Sequence, residues 1–165
     1  MALLIILLIA GFVALMIVLF ACLLLLLRRS LAKKLNQAAA ALAPRQIVYS
    51  TYKANFFGLA SKGMEQLRGN GVLALTQGEL AFFMLKPARE VRVPLERIER
   101  LERPKWWNGK SVGQKLLAVY FTTEGGAGDA AAFWVPDVAE WTARITELAP
   151  QVEVATPGGD SDPSL

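Results

Sequence analysis

An uninterrupted run without a single charged residue, Ala2–Leu27, constrains this chain more than any other feature. As a helix rising 1.5 Å per residue it would extend about 39 Å, against a hydrocarbon core of about 30 Å. A transmembrane helix over 2–27 is therefore expected, with length to spare for tilt. Only Met1 precedes the run, whereas Arg28, Arg29, Lys33 and Lys34 follow it within two turns. The positive-inside rule then predicts a single-pass protein of the plasma (bacterial inner) membrane, N-terminus outside and C-terminal domain cytoplasmic. The same four cations would meet anionic lipid headgroups, at about 1 kcal/mol each near the surface. A cleaved signal peptide fits poorly, because it would need a positive start, a shorter apolar core and a small-residue cleavage site. Leu31, Leu35, Ala38 and Leu42 keep a helical spacing as far as Pro44, so 28–44 reads as a basic juxtamembrane helix or stalk.

The 165 residues leave room for one ordinary domain beyond that segment. Net charge is +4, which invites a nucleic-acid partner until the charges are located. Residues 1–45 hold five basic residues and no acid, while 46–165 hold the other 13 basic and all 14 acidic residues. Basicity thus belongs to the membrane flank, and no nucleic-acid role is expected. Within the domain, Lys86–Lys115 has nine basic residues against four acidic, and 116–165 has Arg144 against eight acids, so a basic face is one reading and interleaved, cancelling segments the other. The lone Cys22 excludes an intramolecular disulfide. The absence of histidine removes the commonest general base and metal ligand together. With no paired acids, no serine-nucleophile motif and no ligand cluster, the sequence implies no catalytic residues, no metal, no cofactor and no enzyme activity.

After Pro44 the periodicity changes from helical to alternating. It predicts strands at 47–52, 72–76, 80–85, 89–93, 98–102, 116–122 and 131–135, with turns at Asn70-Gly71 and Gln77-Gly78. The three-residue spacing of Leu95, Ile98 and Leu101 also suits a short helix begun by Pro94, but strand is the better reading. Asp137 as cap, Glu140 at the capping-box position and an apolar face of Val138, Trp141, Ile145 and Leu148 predict a terminal helix ending at Pro150. Residues 150–165, rich in Pro, Gly, Asp and Ser, read as a disordered tail.

Seven short strands followed by one amphipathic helix over 46–149 resemble the pleckstrin-homology-like superfold, a bent antiparallel barrel closed at one end by its C-terminal helix. The text Gly69-Asn70-Gly71-Val72-Leu73-Ala74-Leu75-Thr76, then Leu80 and Phe82, then Val93-Pro94-Leu95 with Ile98 and Leu101, resembles its GRAM branch. Phe56-Phe57-Gly58 and Arg68-Gly69-Asn70-Gly71 are similar to segments of small bacterial membrane-anchored proteins, a similarity that implies no activity. The first loop carries Lys53 and then Arg68 without the Lys…Arg-x-Arg arrangement of phosphoinositide-binding members, so inositol-lipid recognition is not implied.

Two segments are candidate sites. Lys105, Trp106, Trp107, Lys110 and Lys115 mix cations and tryptophans in a predicted loop, as a membrane interface or a protein-docking loop would. The alternative is that the tryptophans cover the barrel while the lysines are solvated. Phe56, Phe57, Lys62 and Arg68 form a second candidate loop, with core packing the better reading for the phenylalanines. Gly109-Lys110-Ser111 ends like a P-loop but has Pro104 where glycine is needed, which excludes nucleotide binding. The expected function is a tethered binding module docking a membrane protein partner. Its alternatives are a sensor of anionic lipid or the membrane lipid bilayer surface, and an accessory subunit of a membrane enzyme or transporter; the oligomeric state is left open.

Overall fold

The computed structural model describes Met1, residues 15–20, Cys22 and residues 46–155. Contacts divide the chain into two units, Met1–Ala40 and Ala41–Leu165. In the first unit, Leu15–Phe20 and Cys22 are helical and exposed. Among the described residues no helix is long and apolar enough to cross a membrane. This corrects the expectation of a transmembrane helix over Ala2–Leu27, a run of which only Leu15–Phe20 and Cys22 are among the described residues. The single-pass inner-membrane localisation that depended on it falls with it. The remainder of that run, together with Arg28, Arg29, Lys33, Lys34 and the stalk to Pro44, lies outside the described residues.

The second unit is mainly β, an eight-stranded sheet with one helix. Its strands are β1 (Ile47–Leu59), β2 (Gly69–Thr76), β3 (Glu79–Met84), β4 (Arg89–Pro94), β5 (Ile98–Glu102), β6 (Leu117–Thr122), β7 (Gly128–Trp134) and β8 (Glu153–Val154), with helix α1 (Val138–Leu148) between β7 and β8. The spatial order is β4-β3-β2-β1-β7-β6-β5-β8. Strands β1–β4 and β5–β7 are each antiparallel meanders, and β1 joins them by pairing with β2 on one edge and β7 on the other. Seven antiparallel strands followed by a helix is the arrangement that the pleckstrin-homology resemblance implies. The eighth strand is a correction to the expected seven. Glu153–Val154 was expected in the tail, yet it pairs in parallel with Arg100 and Leu101 of β5, and buried Val152 leads into it.

Side chains alternate across this sheet as the pleat requires. Leu73 and Leu75 of β2, Leu80 and Phe82 of β3, Val93 of β4, Leu117 and Val119 of β6 and Phe133 of β7 share the principal core. The rings of Phe56, Phe82 and Phe133 meet at 5.4–5.6 Å between centroids, within the range of favourable aromatic pairs. Helix α1 lays Trp141 and Ile145 on that core. Its start follows the sequence signal, since the Asp137 carboxylate accepts from the Glu140 backbone N–H at 2.9 Å. On its outer side Arg144 donates to Glu140 at 2.8 Å, an interaction that raises the guanidinium above its already high ordinary pKa.

Two local readings change. Asn70-Gly71 is no turn but part of β2, extended by three residues at its start. A Cβ at Gly71 would collide with the Phe83 carbonyl oxygen and lie within 2.8 Å of the Phe82 ring, so glycine is there for close strand approach. The stretch from Leu95 to Leu101 divides in two, a 3-10 turn at Leu95–Arg97 after Pro94 and then β5 as predicted. Gln77-Gly78 is a turn: Thr76 Oγ1 accepts from the Gly78 and Glu79 backbone N–H groups and donates to the Glu79 carbonyl. Gly71→Ala is expected to destabilise the domain by about 1–3 kcal/mol through this overpacking. The shift in a chemical-denaturation midpoint at unchanged slope checks it.

Candidate functional site

Strand β1 runs on past its pairing with β2, and its last residues set the site. Phe56 points into the principal core, and its neighbour Phe57 points to the opposite face of the sheet. There β6 and β7 present Ala118, Ala130 and Ala132, whose small side chains leave room above the sheet. The Trp107 indole fills that room, 1% exposed, packed with Phe57 and Leu116 and edge-on to Tyr120 at 6.1 Å. A second, smaller core thus lies outside the principal one.

Hydrogen bonds fasten the tryptophan loop over it. Trp107 Nε1 donates to the Gly58 carbonyl at 3.1 Å and Asn108 Nδ2 to the Leu59 carbonyl at 3.1 Å. Trp107 and Lys110 exchange both backbone hydrogen bonds at 2.9 Å around Asn108 (φ 47°) and Gly109 (φ 68°), a two-residue hairpin turn needing positive φ at both positions. The Lys110 ammonium donates to the Gln66 carbonyl at 2.7 Å. Gln66 in turn clasps β1, its Nε2 donating to the Leu59 carbonyl at 2.7 Å while its Oε1 accepts from Leu59 N–H at 2.9 Å. Gly58 (φ +119°) lies under this clasp, where a Cβ would stand 2.9 Å from Gln66 Nε2.

The two segments singled out in the sequence are therefore one structure, the loop at 60–68 and the loop at 103–115 tied together at one corner. Their aromatic members divide. Phe56, Phe57 and Trp107 are core, while Trp106 is 46% exposed. On the same two loops Met64, Leu67 and Val112 are also exposed, at 65%, 73% and 39%. Met64 lies against the hairpin turn, since its sulfur would be 2.9 Å from a Cβ at Gly109. Sequence reasoning missed these three because no periodicity marks a residue left outside a core. Asn108-Gly109, a strong hairpin dipeptide, was the signal that the tryptophan loop folds back on itself.

Charge at the corner is one-sided. Segments 60–70 and 103–115 together carry Lys62, Arg68, Arg103, Lys105, Lys110 and Lys115 against Glu65 alone. Elsewhere in the basic stretch, Arg92 pairs with Glu79 and Glu90, Arg97 with Glu124 and Arg100 with Glu102. Arg68 lies with its guanidinium carbon 4.1 Å from the Phe57 ring centroid, a cation–π contact. Beside it a pocket of about 320 Å3 is lined by Asn55, Arg68, Asn70, Val112, Gln114 and Trp134.

No family model matches the chain, and none of the curated proteins does. Among solved structures, a chain of the 8S snRNP assembly intermediate is similar at 11% identity, over 70% of this chain and 89% of that one, with a TM-score of 0.49. The C-terminal domain of an unknown protein from Leishmania infantum is similar at 14% identity, over 72% and 97%, with a TM-score of 0.46. The hSac2 domain of the human phosphoinositide phosphatase Sac2 is similar at 10% identity, over 81% and 92%, with a TM-score of 0.47. None of these likenesses bears on ligand or partner.

The adjacent tryptophans give a sharp contrast. Trp107→Ala is expected to cost about 3–5 kcal/mol, the range for emptying a buried aromatic site. Trp106→Ala is expected to stay within about 0.5 kcal/mol. Thermal or denaturant unfolding of the two variants side by side measures the difference.

Proposed function

We propose that the β domain is a binding module of the GRAM-like branch whose contact face is the corner formed by the 60–68 and 103–115 loops, and that its partner is a protein. One observation carries this reading: Met64, Leu67, Trp106 and Val112 are exposed on two loops that hydrogen bonds hold rigid. Leaving such groups in water costs roughly 25 cal/mol per Å2 of apolar area that burial would recover. Clustered exposed apolar groups with a polar surround are characteristic of contact surfaces. Tryptophan and arginine are also the residue types most enriched where binding energy concentrates.

The partner's chemistry follows from the surround. Six basic residues against one acid favour a surface that presents carboxylates around an apolar segment. Because the loops are tied to β1 by Trp107, Asn108, Gln66 and Lys110, little side-chain and loop order remains to be lost on contact.

Cross-linking of the full-length chain in its native cells, followed by purification, tests the reading. A stoichiometric protein partner is expected, with recovery falling at least about tenfold in a Leu67→Asp, Trp106→Ala double variant of unchanged stability. Recovery of an equal amount of partner with the double variant would overturn it. So would recovery of no partner together with Trp106-dependent preference for phosphatidylglycerol over phosphatidylcholine vesicles, which would favour the anionic-lipid alternative.

A further inference from the structure

Resting on that protein-docking reading, we infer that the pocket beside Arg68 is a receptor for a carboxylate, supplied by an acidic side chain of the bound protein. The pocket is formed where the latter part of β1 meets the start of β2 and the end of β7, with the tail of the tryptophan loop as its rim. Its six lining residues include one cation and no acid.

The hydrogen bonds around it decide which groups are left to receive a ligand. An indole N–H only donates, so Trp134 Nε1, 2.9 Å from Gln114, fixes the atom it meets as the amide oxygen and leaves the Gln114 Nε2 group as a donor. Asn55 Nδ2 donates to Asn70 Oδ1 at 2.6 Å, which occupies the Asn70 oxygen and leaves its Nδ2 group as a donor too. Arg68 makes no ion pair among the described residues; its guanidinium is held over the Phe57 ring, and a planar fork of N–H groups remains available. Two amide NH2 groups and a guanidinium therefore line one pocket, against one acceptor without a partner, the buried Asn55 Oδ1. That excess of donors, one of them charged, matches an anion, and the planar fork of arginine pairs with a carboxylate through two parallel hydrogen bonds.

Size and setting favour a protein side chain over a separate small molecule. At about 320 Å3 the pocket is at the low end of the range for ligand sites, roughly 300–1,000 Å3. Val112 belongs both to the pocket and to the exposed apolar corner, so one bound segment reaches both, its apolar residues on Leu67 and Trp106 and an acidic residue against Arg68. The hydrophobic contact supplies area, and the carboxylate supplies register.

The test uses the isotope-labelled full-length chain and follows the Trp134 indole and the Gln114 and Asn70 side-chain amide signals by NMR. Four probes are titrated: a short peptide with leucines flanking one glutamate, its glutamine counterpart, inorganic phosphate, and phosphatidylglycerol vesicles. The glutamate peptide is expected to shift all three signals and to bind about tenfold or more tightly than the glutamine peptide, the scale of a charge-assisted hydrogen bond. Asn70→Asp is the informative variant, because it keeps the oxygen that accepts from Asn55 while placing a negative charge in the pocket. It is expected to abolish the preference for glutamate. Equal response to both peptides, tighter binding of phosphate or vesicles, or an unaltered preference in Asn70→Asp would each overturn the inference. If these fail while the corner double variant still loses its partner, the pocket inference falls alone and the docking reading stands.

Discussion

Everything in the β domain depends on one strand serving two neighbours. β1 pairs with β2 from Ile47 to Phe56 and with β7 from Asn55 to Leu59, shifting register on both edges as it passes from one to the other. Each register shift leaves a residue unpaired and bends the strand, so that two flat meanders become walls of one core. Only a strand of this length can do so. Phe56, at the point of exchange, packs against Phe82 of one meander and Phe133 of the other. The end of the same strand then offers the carbonyls of Gly58 and Leu59 to Trp107, Asn108 and Gln66. The bend that closes the core and the anchorage of the corner loops thus arise from one stretch of backbone.

The corner illustrates how a fold produces a surface. Small outward residues on β6 and β7 make a shallow bed, and a tryptophan taken into it turns its neighbour outward. Trp107 is held by burial and a hydrogen bond, and Trp106 is left in water by the same hairpin geometry. Rigid presentation of an apolar residue on loops rich in cations is a stronger argument for contact than either feature alone, since it lowers the ordering cost that opposes association.

Much of this fold was legible in the residues because the physical signals were local. Alternation placed the strands from β2 to β7 to within a few residues, β5 without change, and the Asp137 cap began α1 where it was expected. The errors have a common cause in long-range pairing. Alternation ends β1 at Tyr52, yet the strand continues through polar Lys53 and Asn55 because β2 and β7 supply hydrogen-bond partners on either side. Asn70-Gly71 reads as a turn because the actual reason for Gly71, crowding by Phe82 and Phe83 of the next strand, is invisible without that strand. Glu153–Val154 has no strand signal of its own and is ordered by the open edge of β5. An uncharged run, Ala2–Leu27, likewise raised an expectation of a membrane span that the described helix, at Leu15–Phe20 and Cys22, does not bear out.

Sequence by itself determined the mainly β character of the domain, the order of its strands and helix as far as α1, the start of that helix and the confinement of excess positive charge to particular segments. These rest on periodicity, capping and composition, which are properties of neighbours along the chain. Tertiary structure alone decided that the phenylalanine and tryptophan segments form one corner, that Phe56, Phe57 and Trp107 are core while Trp106, Met64 and Leu67 are surface, and that Arg68, Asn70 and Gln114 line one pocket. An aromatic residue reads the same in the sequence whether it is buried or exposed. Which of two adjacent tryptophans meets water is set by the strand it lands on, here by three alanines and a carbonyl more than forty residues away.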